Sequence, residues 1–361
     1  MKKIVAILLA VATLSTAAFA AAKSKGKVGI SMPTKDLQRW NQDGNNMYGD
    51  FVKAGYTVDL QYAANDIPTQ ISQIENMITG KCKVLVIAAI DGSSLSNVLA
   101  TAKKKKIQVI AYDRLIMDTD AVSYYATFDN YKVGTLQGDY LVEKLGLKTR
   151  SASDPVYMEF FTGDPGDNNI NFFFGGAMDV LTPYINSGVI VCLSGQTAKA
   201  QCATLNWSTE EAQKRMENLI TSNKYGPKGQ KLDAVYCSND STANGVTNAL
   251  LSAGYDASNF PVITGQDCDI VSMKNMLKGY QSMSIFKDTR TLAAQVVKMV
   301  EAIMAGTTVP VNDTKTYDNT TPGKGKSNIV PSYLCDPVFG DLSNYKTLLI
   351  DSGYYKESEL K

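Results

Sequence analysis

Short apolar runs alternate with amphipathic stretches from residue 27 onward. The segments KVGISMP (27–33), YTVDLQYA (56–63) and IQVIAY (107–112) predict β-strands. Between them, IPTQISQIENMI (67–78) has apolar residues at 67, 71, 74 and 78, which is the spacing of one helix face. The segment KVLVIAAI (83–90) is apolar throughout after its first residue, as is typical of a central parallel strand that is covered on both sides.

The alternation starts again near residue 131. The further predicted elements are, in chain order, helix 131–146, strand 156–163, helix 170–185, strand 189–195, helix 209–222, strand 232–240, helix 242–253, strand 260–267, strand 281–288 and helix 290–304. Repeated β-α-β units build parallel sheets with helices on both faces. Two successive series therefore predict an α/β protein with two doubly wound domains. The 361 residues also exceed what one core of about 250–300 residues usually holds.

The first twenty residues have the pattern of an export signal. Two lysines precede an apolar stretch over 4–14, and Ala-Phe-Ala at 18–20 has the small residues of a cleavage site. We therefore expect residues 1–20 to be removed and the mature chain to be periplasmic. No lipid anchor is expected, because the first cysteine is Cys82 and none stands at the predicted cleavage site.

Composition argues against several classes of function. Histidine is absent, which excludes Ser-His-Asp and Cys-His catalysis and histidine metal sites. The formal net charge is +1, and the one basic run, KKKK at 103–106, closes a predicted helix, so no nucleic-acid partner is expected. GKS at 325–327 resembles the end of a phosphate-binding loop, but Thr320 stands where that motif requires glycine. We predict no cofactor and no metal.

The six cysteines show no C-x-x-C spacing, which argues against zinc and thioredoxin-like sites. In an oxidising compartment Cys192 and Cys202, which flank a predicted loop, are candidates for a disulfide. Buried free thiols are the simpler expectation. The sequence leaves both possibilities open.

Polar and aromatic residues follow the carboxyl ends of the predicted strands, where doubly wound sheets bind their ligands. In chain order these residues are Lys35, Arg39, Trp40, Asp91, Asp113, Arg114, the segment TGDPGDNN (162–169), Asn206, Trp207, Asn239, Asp240, Gln266, Asp267, Lys287 and Asp288. Carboxylates accept hydrogen bonds from vicinal hydroxyls, basic and amide groups donate to sugar oxygens, and tryptophan covers the C–H face of a ring. Because the charges nearly balance, we predict a pocket for an uncharged polyhydroxylated ring.

Structural roles are the alternative for several of these residues. They are capping of the next helix for Asp91, Asp240 and Asp288, core packing for Trp40 and Trp207, and a structural ion pair for Asp113 and Arg114. Neighbouring strands offer similar polar ends in the same plane, so we favour ligand contact for the Asp113-Arg114 pair.

The segments RWNQDGNN, KVLVIAAIDG, VIAYDRL, GDPGDNN and FKDTR resemble periplasmic monosaccharide-binding proteins of ABC importers, the family of multiple-sugar-binding and xylose-binding proteins. The similarity extends over essentially the whole mature chain. It implies the type I periplasmic binding protein fold, with two Rossmann-like lobes joined by three crossing segments. It also implies a monosaccharide of the glucose, galactose or xylose type in the cleft between the lobes.

The resemblance further implies lobe limits and ligand contacts. Residues 26–129 with 288–318 are expected to form the N-terminal lobe, and 130–287 with 329–361 the C-terminal lobe. The implied contacts are Arg39, Trp40, Asp113, Arg114, Asp167, Asn168, Asn169, Trp207, Asn239, Asp267 and Lys287, with Lys35, Asp91 and Asn206 as weaker candidates. Asn206 departs from the family, in which an arginine precedes the tryptophan. The implied partners are an ABC permease and, for some members, a chemoreceptor or sensor kinase, with the protein itself a monomer.

Other functions remain as alternatives to a sugar receptor. A glycosidase would use two of these carboxylates, but each candidate aspartate neighbours a lysine, arginine or asparagine suited to static hydrogen bonding. A sugar-responsive transcription regulator would carry a DNA-binding module where this chain has an export signal. A receptor for an autoinducer or another polyol on the same scaffold would differ only in its ligand. We expect a receptor and not an enzyme.

Overall fold

The computed structural model describes residues 24–361, so the predicted signal peptide at 1–20 lies outside the described residues. The chain first forms β1 (Lys27–Met32), α1 (Gln38–Lys53), β2 (Thr57–Tyr62), α2 (Ile67–Thr79), β3 (Val84–Ile87), α3 (Ser96–Lys104), β4 (Gln108–Tyr112) and β5 (Tyr124–Phe128). It continues with α4 (Asn130–Lys144), β6 (Val156–Phe161), α5 (Asn169–Asn186), β7 (Ile190–Val191), α6 (Lys199–Cys202), α7 (Thr209–Asn223), β8 (Ala234–Cys237), α8 (Asp240–Ser252), β9 (Val262–Ile263), α9 (Ile270–Leu277) and β10 (Ser284–Phe286). The last elements are α10 (Thr289–Ala305), β11 (Ser332–Cys335) and β12 (Val338–Gly340).

The first lobe is built on a parallel sheet in the order β11-β5-β4-β3-β1-β2. Successive residues of a strand point to opposite faces, and both faces of this sheet are apolar. Val84 and Val86 of β3 pack with residues of α1 and α10, whereas Leu85 and Ile87 pack with residues of α2 and α3. The continuous apolar run at 84–90 reflects this two-sided burial, as predicted.

The second lobe repeats the plan on a sheet in the order β7-β6-β8-β9, again parallel. A bridge between Gln266 and Ile285 connects this sheet to the antiparallel pair β10–β12. The carboxyl ends of both sheets face the boundary between the lobes, and the loops that follow the strands therefore meet there. The prediction of two doubly wound lobes is confirmed.

Three crossing segments join the lobes, at Asp129, at Lys287-Asp288 and at Asp336. The first and third run side by side, since the Asp129 N–H donates to the Cys335 carbonyl at 3.0 Å. The carboxylates of Asp129 and Asp288 accept backbone N–H groups at the starts of α4 and α10, each at 3.0 Å. Asp288 is therefore a helix cap, which was one of the two roles considered for it.

The predicted lobe limits need one correction. We expected residues 329–361 to belong entirely to the C-terminal lobe, but β11 pairs in parallel with β5 at the edge of the first sheet. The third crossing follows β11 instead of preceding it, so the chain returns to the first lobe before it ends in the second. The other lobe limits stay predictions.

Three smaller expectations concern the described part of the chain. The four lysines at 103–106 are exposed at the end of α3, which is the solvated helix end that was predicted. All six cysteines are free thiols, and the thiols of Cys192 and Cys202 both contact the Gln196 carbonyl oxygen, at 3.8 and 3.2 Å. Within residues 24–361, no helix has the length and apolar character that crossing a bilayer requires.

Candidate functional site

A cavity lies between the two lobes where the carboxyl ends of their strands meet. It contains about 400 Å³ of space between atoms, and this figure includes open solvent. Nine predicted site residues line it: Arg39, Trp40, Asp113, Arg114, Asp167, Trp207, Asn239, Asp267 and Lys287. Most of the residues that line this cavity were therefore among those singled out from the sequence.

Six of these residues form what we call the charged belt: Arg39, Asp113, Arg114, Asp167, Asp267 and Lys287. Arg39, in the first turns of α1, is its centre and is 6% exposed. Its guanidinium donates to Asp113 at 2.5 Å and to Asp267 of the second lobe at 3.1 Å. The planar fork of arginine serves both carboxylates at once. Arg39 thereby joins the two lobes.

Asp113 follows the buried strand β4 and is held in place through its backbone as well as its charge. Its φ of 57° is left-handed, a conformation that aspartate tolerates. Its carbonyl oxygen accepts three hydrogen bonds, from the Tyr125 hydroxyl at 2.6 Å, the Thr127 hydroxyl at 2.9 Å and the Asn169 amide at 2.9 Å. Burial acts to raise the pKa of Asp113, but the charges of Arg39 and Lys287 together lower it below its ordinary value.

Arg114 provides the second ionic link between the lobes. Its Nε lies 3.0 Å from a carboxylate oxygen of Asp167, and its Nη1 donates to the carbonyls of Ala89 and Ile90 at 3.0 and 3.3 Å. Asp167 also accepts the indole N–H of Trp207 at 3.2 Å. Burial raises the pKa of Asp167, although the positive charge of Arg114 opposes this shift.

Lys287, the last residue of the belt, lies in the crossing segment directly after β10. It is 2% exposed, and its amine lies 3.1 Å from Asp267 and 4.0 Å from Asp113. Such a buried lysine requires carboxylate partners, because an unpaired charge is costly to bury. The aromatic face of Phe173 lies 5.4 Å from the same amine.

Two further carboxyl groups, those of Asp43 and Asp240, lie behind the belt, and a third, that of Asp269, lines the cavity. Burial raises the pKa of Asp43 to about 6, although Arg39 donates to it at 3.0 Å. Burial and the nearby charge of Asp267 raise the pKa of Asp240 to about 7. Burial also raises the pKa of Asp269 well above its ordinary value, with the charges of Asp240 and Asp267 acting in the same direction.

Tryptophans form parts of two walls of the cavity. Trp40 is 3% exposed and packs in the first core, and the guanidinium of Arg114 lies 5.0 Å from its ring. Trp207 is 4% exposed and packs edge-on against Phe173, with ring centres 6.2 Å apart. Core packing and a position in the cavity wall are the alternatives for both tryptophans. Each tryptophan packs in a hydrophobic cluster and also lines the cavity.

Five predicted site residues do not line the cavity. Asn169 is buried beside it and accepts from Tyr125 while donating to the Asp113 carbonyl, whereas Asn168 accepts from Asn171 on the outside of α5. The three weaker candidates also lie outside the cavity. Lys35 is exposed over the ring of Tyr62, and Asn206 is exposed on a turn. The Asp91 carboxylate accepts the Ser93 N–H.

Sequence reasoning missed several residues around the cavity. They are Leu37, Phe173, Ser241 and Asp269, whereas Gln266, which also lines the cavity, was named among the residues at strand ends. Asn239, not Asp240, caps α8, because its side chain accepts the Thr242 N–H at 3.0 Å. Within residues 24–361, no group of three or more metal-ligating side chains has an arrangement that would hold a metal ion.

Two further contacts join the lobes beside the cavity. The first, which we call the tyrosine rim, consists of Gln38, Gln42, Tyr354 and Tyr355. The Tyr355 hydroxyl accepts from the amides of Gln38 and Gln42 at 2.6 and 3.1 Å and donates to the Cys268 carbonyl at 3.0 Å.

The second, which we call the glycine contact, is one backbone hydrogen bond. The Gly92 N–H of the first lobe donates to the Gly166 carbonyl of the second at 3.0 Å. The Asp91 side chain lies next to Gly166, since a Cβ at Gly166 would be 2.8 Å from its Oδ2. Asp91 therefore belongs to this contact between the lobes and not to the cavity wall.

Comparisons with known proteins agree with this geometry. Residues 28–308 match the family model described as "Periplasmic binding protein domain". The chain is 49% identical to the "Multiple sugar-binding periplasmic protein SbpA" of Azospirillum brasilense, over 94% of this chain and 92% of that protein. It is 48% identical to the "Multiple sugar-binding periplasmic receptor ChvE" of Rhizobium radiobacter, over the full length of both.

A solved structure is also similar along nearly the whole chain. An ABC transporter solute-binding protein from Clostridium phytofermentans, solved with bound β-D-glucose, is 65% identical with a TM-score of 0.88. The match covers 93% of this chain and 100% of that one. The family that the sequence motifs indicated is confirmed.

Proposed function

Because the chain belongs to the family of periplasmic binding proteins, we propose that it is an exported receptor that binds one monosaccharide between its lobes. The observation that supports this most directly is the charged belt, whose side chains come from both lobes and surround a single cavity. A ring bound there contacts both lobes at once, so binding favours the closed arrangement.

The ligand that fits this chemistry is a neutral pyranose of the glucose, galactose or xylose type. The belt has three basic and three acidic side chains, so it offers donors and acceptors without excess charge. Phe173 and Trp207 supply apolar faces for the C–H side of a ring. The presence of β-D-glucose in the 65% identical relative supports the same class of ligand.

The closed, loaded form is then the species that the partner recognises. We propose that it docks as a monomer in the periplasm on the permease of an ABC importer, and that a chemoreceptor or sensor kinase domain recognises the same form. No catalytic step is involved. Asp113 and Asp267 both pair with cations at 2.5–3.1 Å, and the lowered pKa of Asp113 keeps it ionised and unable to act as a proton donor.

A thermal-unfolding panel tests this proposal with D-glucose, D-galactose, D-xylose, myo-inositol, maltose and lactose. A ligand at 100 times its Kd stabilises the folded form by about 2.7 kcal/mol, which raises Tm by about 5–10 °C in a protein of this size. We expect this shift from at least one of the three aldoses and none from the disaccharides, because the cavity holds one ring.

The other outcomes contradict specific parts of the proposal. Equal shifts from maltose and its monomer would mean that the cleft is open at one end. A shift from myo-inositol alone would make the protein a polyol receptor. Release of phenol from aryl glycosides would make it an enzyme. Mass spectrometry of any ligand that copurifies identifies the sugar independently.

A further inference from the structure

Trp207 lies on a turn whose backbone conformation is unfavourable for residues other than glycine. Both Asn206 and Trp207 have left-handed φ angles, 55° and 56°, and neither is a glycine. Two consecutive residues in this conformation persist only where surrounding contacts hold them. The turn is therefore fixed from outside, and the groups that fix it determine where the indole lies.

The loop after β6 supplies the surface on which the indole rests. A Cβ at Gly163 would lie 2.1 Å from the indole Cε2, so the ring lies directly on the backbone of this residue. The Thr204 N–H also donates to the Gly163 carbonyl at 3.1 Å. Glycine at 163 is thus required by the close approach of the indole.

Asp164, the next residue, holds the loop and the turn together. The residue is 8% exposed, and its Oδ2 accepts the Asn206 backbone N–H at 2.5 Å while its Oδ1 accepts the Gly166 N–H at 2.7 Å. Among residues 24–361, no lysine or arginine lies within ion-pair distance of this carboxylate. Its two oxygens therefore serve two backbone N–H groups from different parts of the chain.

The two residues whose N–H groups Asp164 accepts, Asn206 and Gly166, each belong to a segment that makes a contact described above. Trp207 follows Asn206, lines the cavity and donates to Asp167 at 3.2 Å. The carbonyl of Gly166 accepts the first lobe's Gly92 N–H at 3.0 Å. We propose that Asp164 is a positioning residue for sugar binding, which fixes both the Trp207 wall and the glycine contact without touching the ligand. This proposal rests on the function proposed above.

The first measurement needs no sugar. The chain has two tryptophans, so in a Trp40→Phe background Trp207 is the sole tryptophan emitter. We compare Asp164, Asp164→Asn and Asp164→Ala in this background by acrylamide quenching of the ligand-free protein. Quenching of Trp207 should increase from Asp164 to Asn to Ala, because asparagine keeps one acceptor oxygen and alanine keeps none.

The second measurement uses D-glucose titrations of the same Asp164 variants with Trp40 retained. The Kd should rise by about tenfold or more for Asp164→Ala and by a smaller factor for Asp164→Asn. The matched control is Asp154→Asn, which removes an exposed carboxylate of the second lobe that pairs with Arg150 at 2.9 Å. It should change neither quenching nor affinity.

The outcomes separate the two proposals. Unchanged quenching in both Asp164 variants overturns the positioning role, and so does a weaker Kd without any change in quenching. If no protein binds glucose but quenching follows the expected order, Asp164 positions Trp207 and only the sugar assignment fails. If alanine prevents folding, judged by circular dichroism, the asparagine variant alone decides by the same two readouts.

Discussion

Two of the regions through which the lobes meet have opposite chemical character. The charged belt joins them by ion pairs between side chains that are almost fully buried, Arg39 with Asp267 and Arg114 with Asp167. The tyrosine rim joins them by neutral amide and hydroxyl groups, and its two glutamines are only half-buried. Both regions cross the same boundary, but the consequences of losing one partner differ.

In the belt, removing one charge leaves its partner buried without compensation, which is more costly than the original pair was favourable. At the rim, the groups are neutral, so a lost hydroxyl leaves no uncompensated charge. The belt should therefore determine whether a ligand binds, and the rim should adjust how readily the lobes close. The predictions below test this division, starting with the largest expected effect.

Asp113→Asn should break the belt most severely. Asparagine tolerates the left-handed backbone at this position, so the change removes the charge that Arg39 and Lys287 share and little else. We expect a loss of about 2–4 kcal/mol in glucose binding, which is about 30–1000-fold in Kd, measured by titration calorimetry.

The matched control is Asp120→Asn, whose carboxylate pairs with Lys103 at 2.6 Å on the surface of the same lobe. Exposed pairs contribute little, so this variant should bind glucose normally. Parental affinity in a folded Asp113→Asn protein would show that the belt does not determine binding.

Trp207→Ala should have the next largest effect. It removes an aromatic face from the cavity wall, and we expect glucose, galactose and xylose to lose affinity by similar factors of about 10–100. Leu205→Ala, on the same turn but 60% exposed, serves as the control and should leave the affinities unchanged. Loss of affinity for a single epimer would instead indicate that Trp207 acts on one hydroxyl position.

The carboxyl groups behind the belt predict a dependence of stability on pH. The pKa of Asp240 is raised by burial to about 7, so the folded protein holds a proton there that the unfolded chain releases. This contribution to stability is complete below the unfolded pKa and is lost as pH rises through about 7. We expect Tm to fall by about 2–4 °C between about pH 6 and pH 8, corresponding to about 1 kcal/mol.

Asp240→Asn removes this titration and should reduce the slope of Tm against pH, whatever it does to Tm itself. Asp154→Asn, at an exposed position, should keep the parental slope. An equal slope in the parent and in Asp240→Asn would assign the dependence to other groups.

Tyr355→Phe should produce the smallest change. It removes one hydroxyl that contacts Gln38, Gln42 and the Cys268 carbonyl. Net contributions of such neutral hydrogen bonds are about 1 kcal/mol, so we expect at most about a fivefold loss of glucose affinity. Tyr345→Phe is the control, because its hydroxyl has no hydrogen-bond partner within residues 24–361. A loss as large as that of Asp113→Asn would remove the distinction between belt and rim.

Local pattern was sufficient to predict the fold and most of the cavity wall. Apolar runs located β1, β3 and β4, and the residues that follow parallel strands, such as Asp113 and Lys287, converge because those strand ends share an edge. Their contact with a sugar stays a prediction.

The elements and residues that the sequence did not predict correctly are those whose conformation depends on contacts between distant parts of the chain. β11 and β12 have four and three residues, too few for a periodic pattern, and they form by pairing with β5 and β10 far along the chain. Asn206 was a candidate because it adjoins Trp207, but the backbone of their turn directs only the tryptophan into the cavity.

The late return of the chain to the first lobe has a consequence for building proteins from these parts. The first core contains Leu292, Val296 and Val300 of α10, which follow β10 of the second lobe in the sequence. β11, at 332–335, completes the sheet later still. An N-terminal fragment that stops before α10 is therefore not an independent domain, and a chimera that exchanges one lobe with a relative has to be cut at three places instead of one.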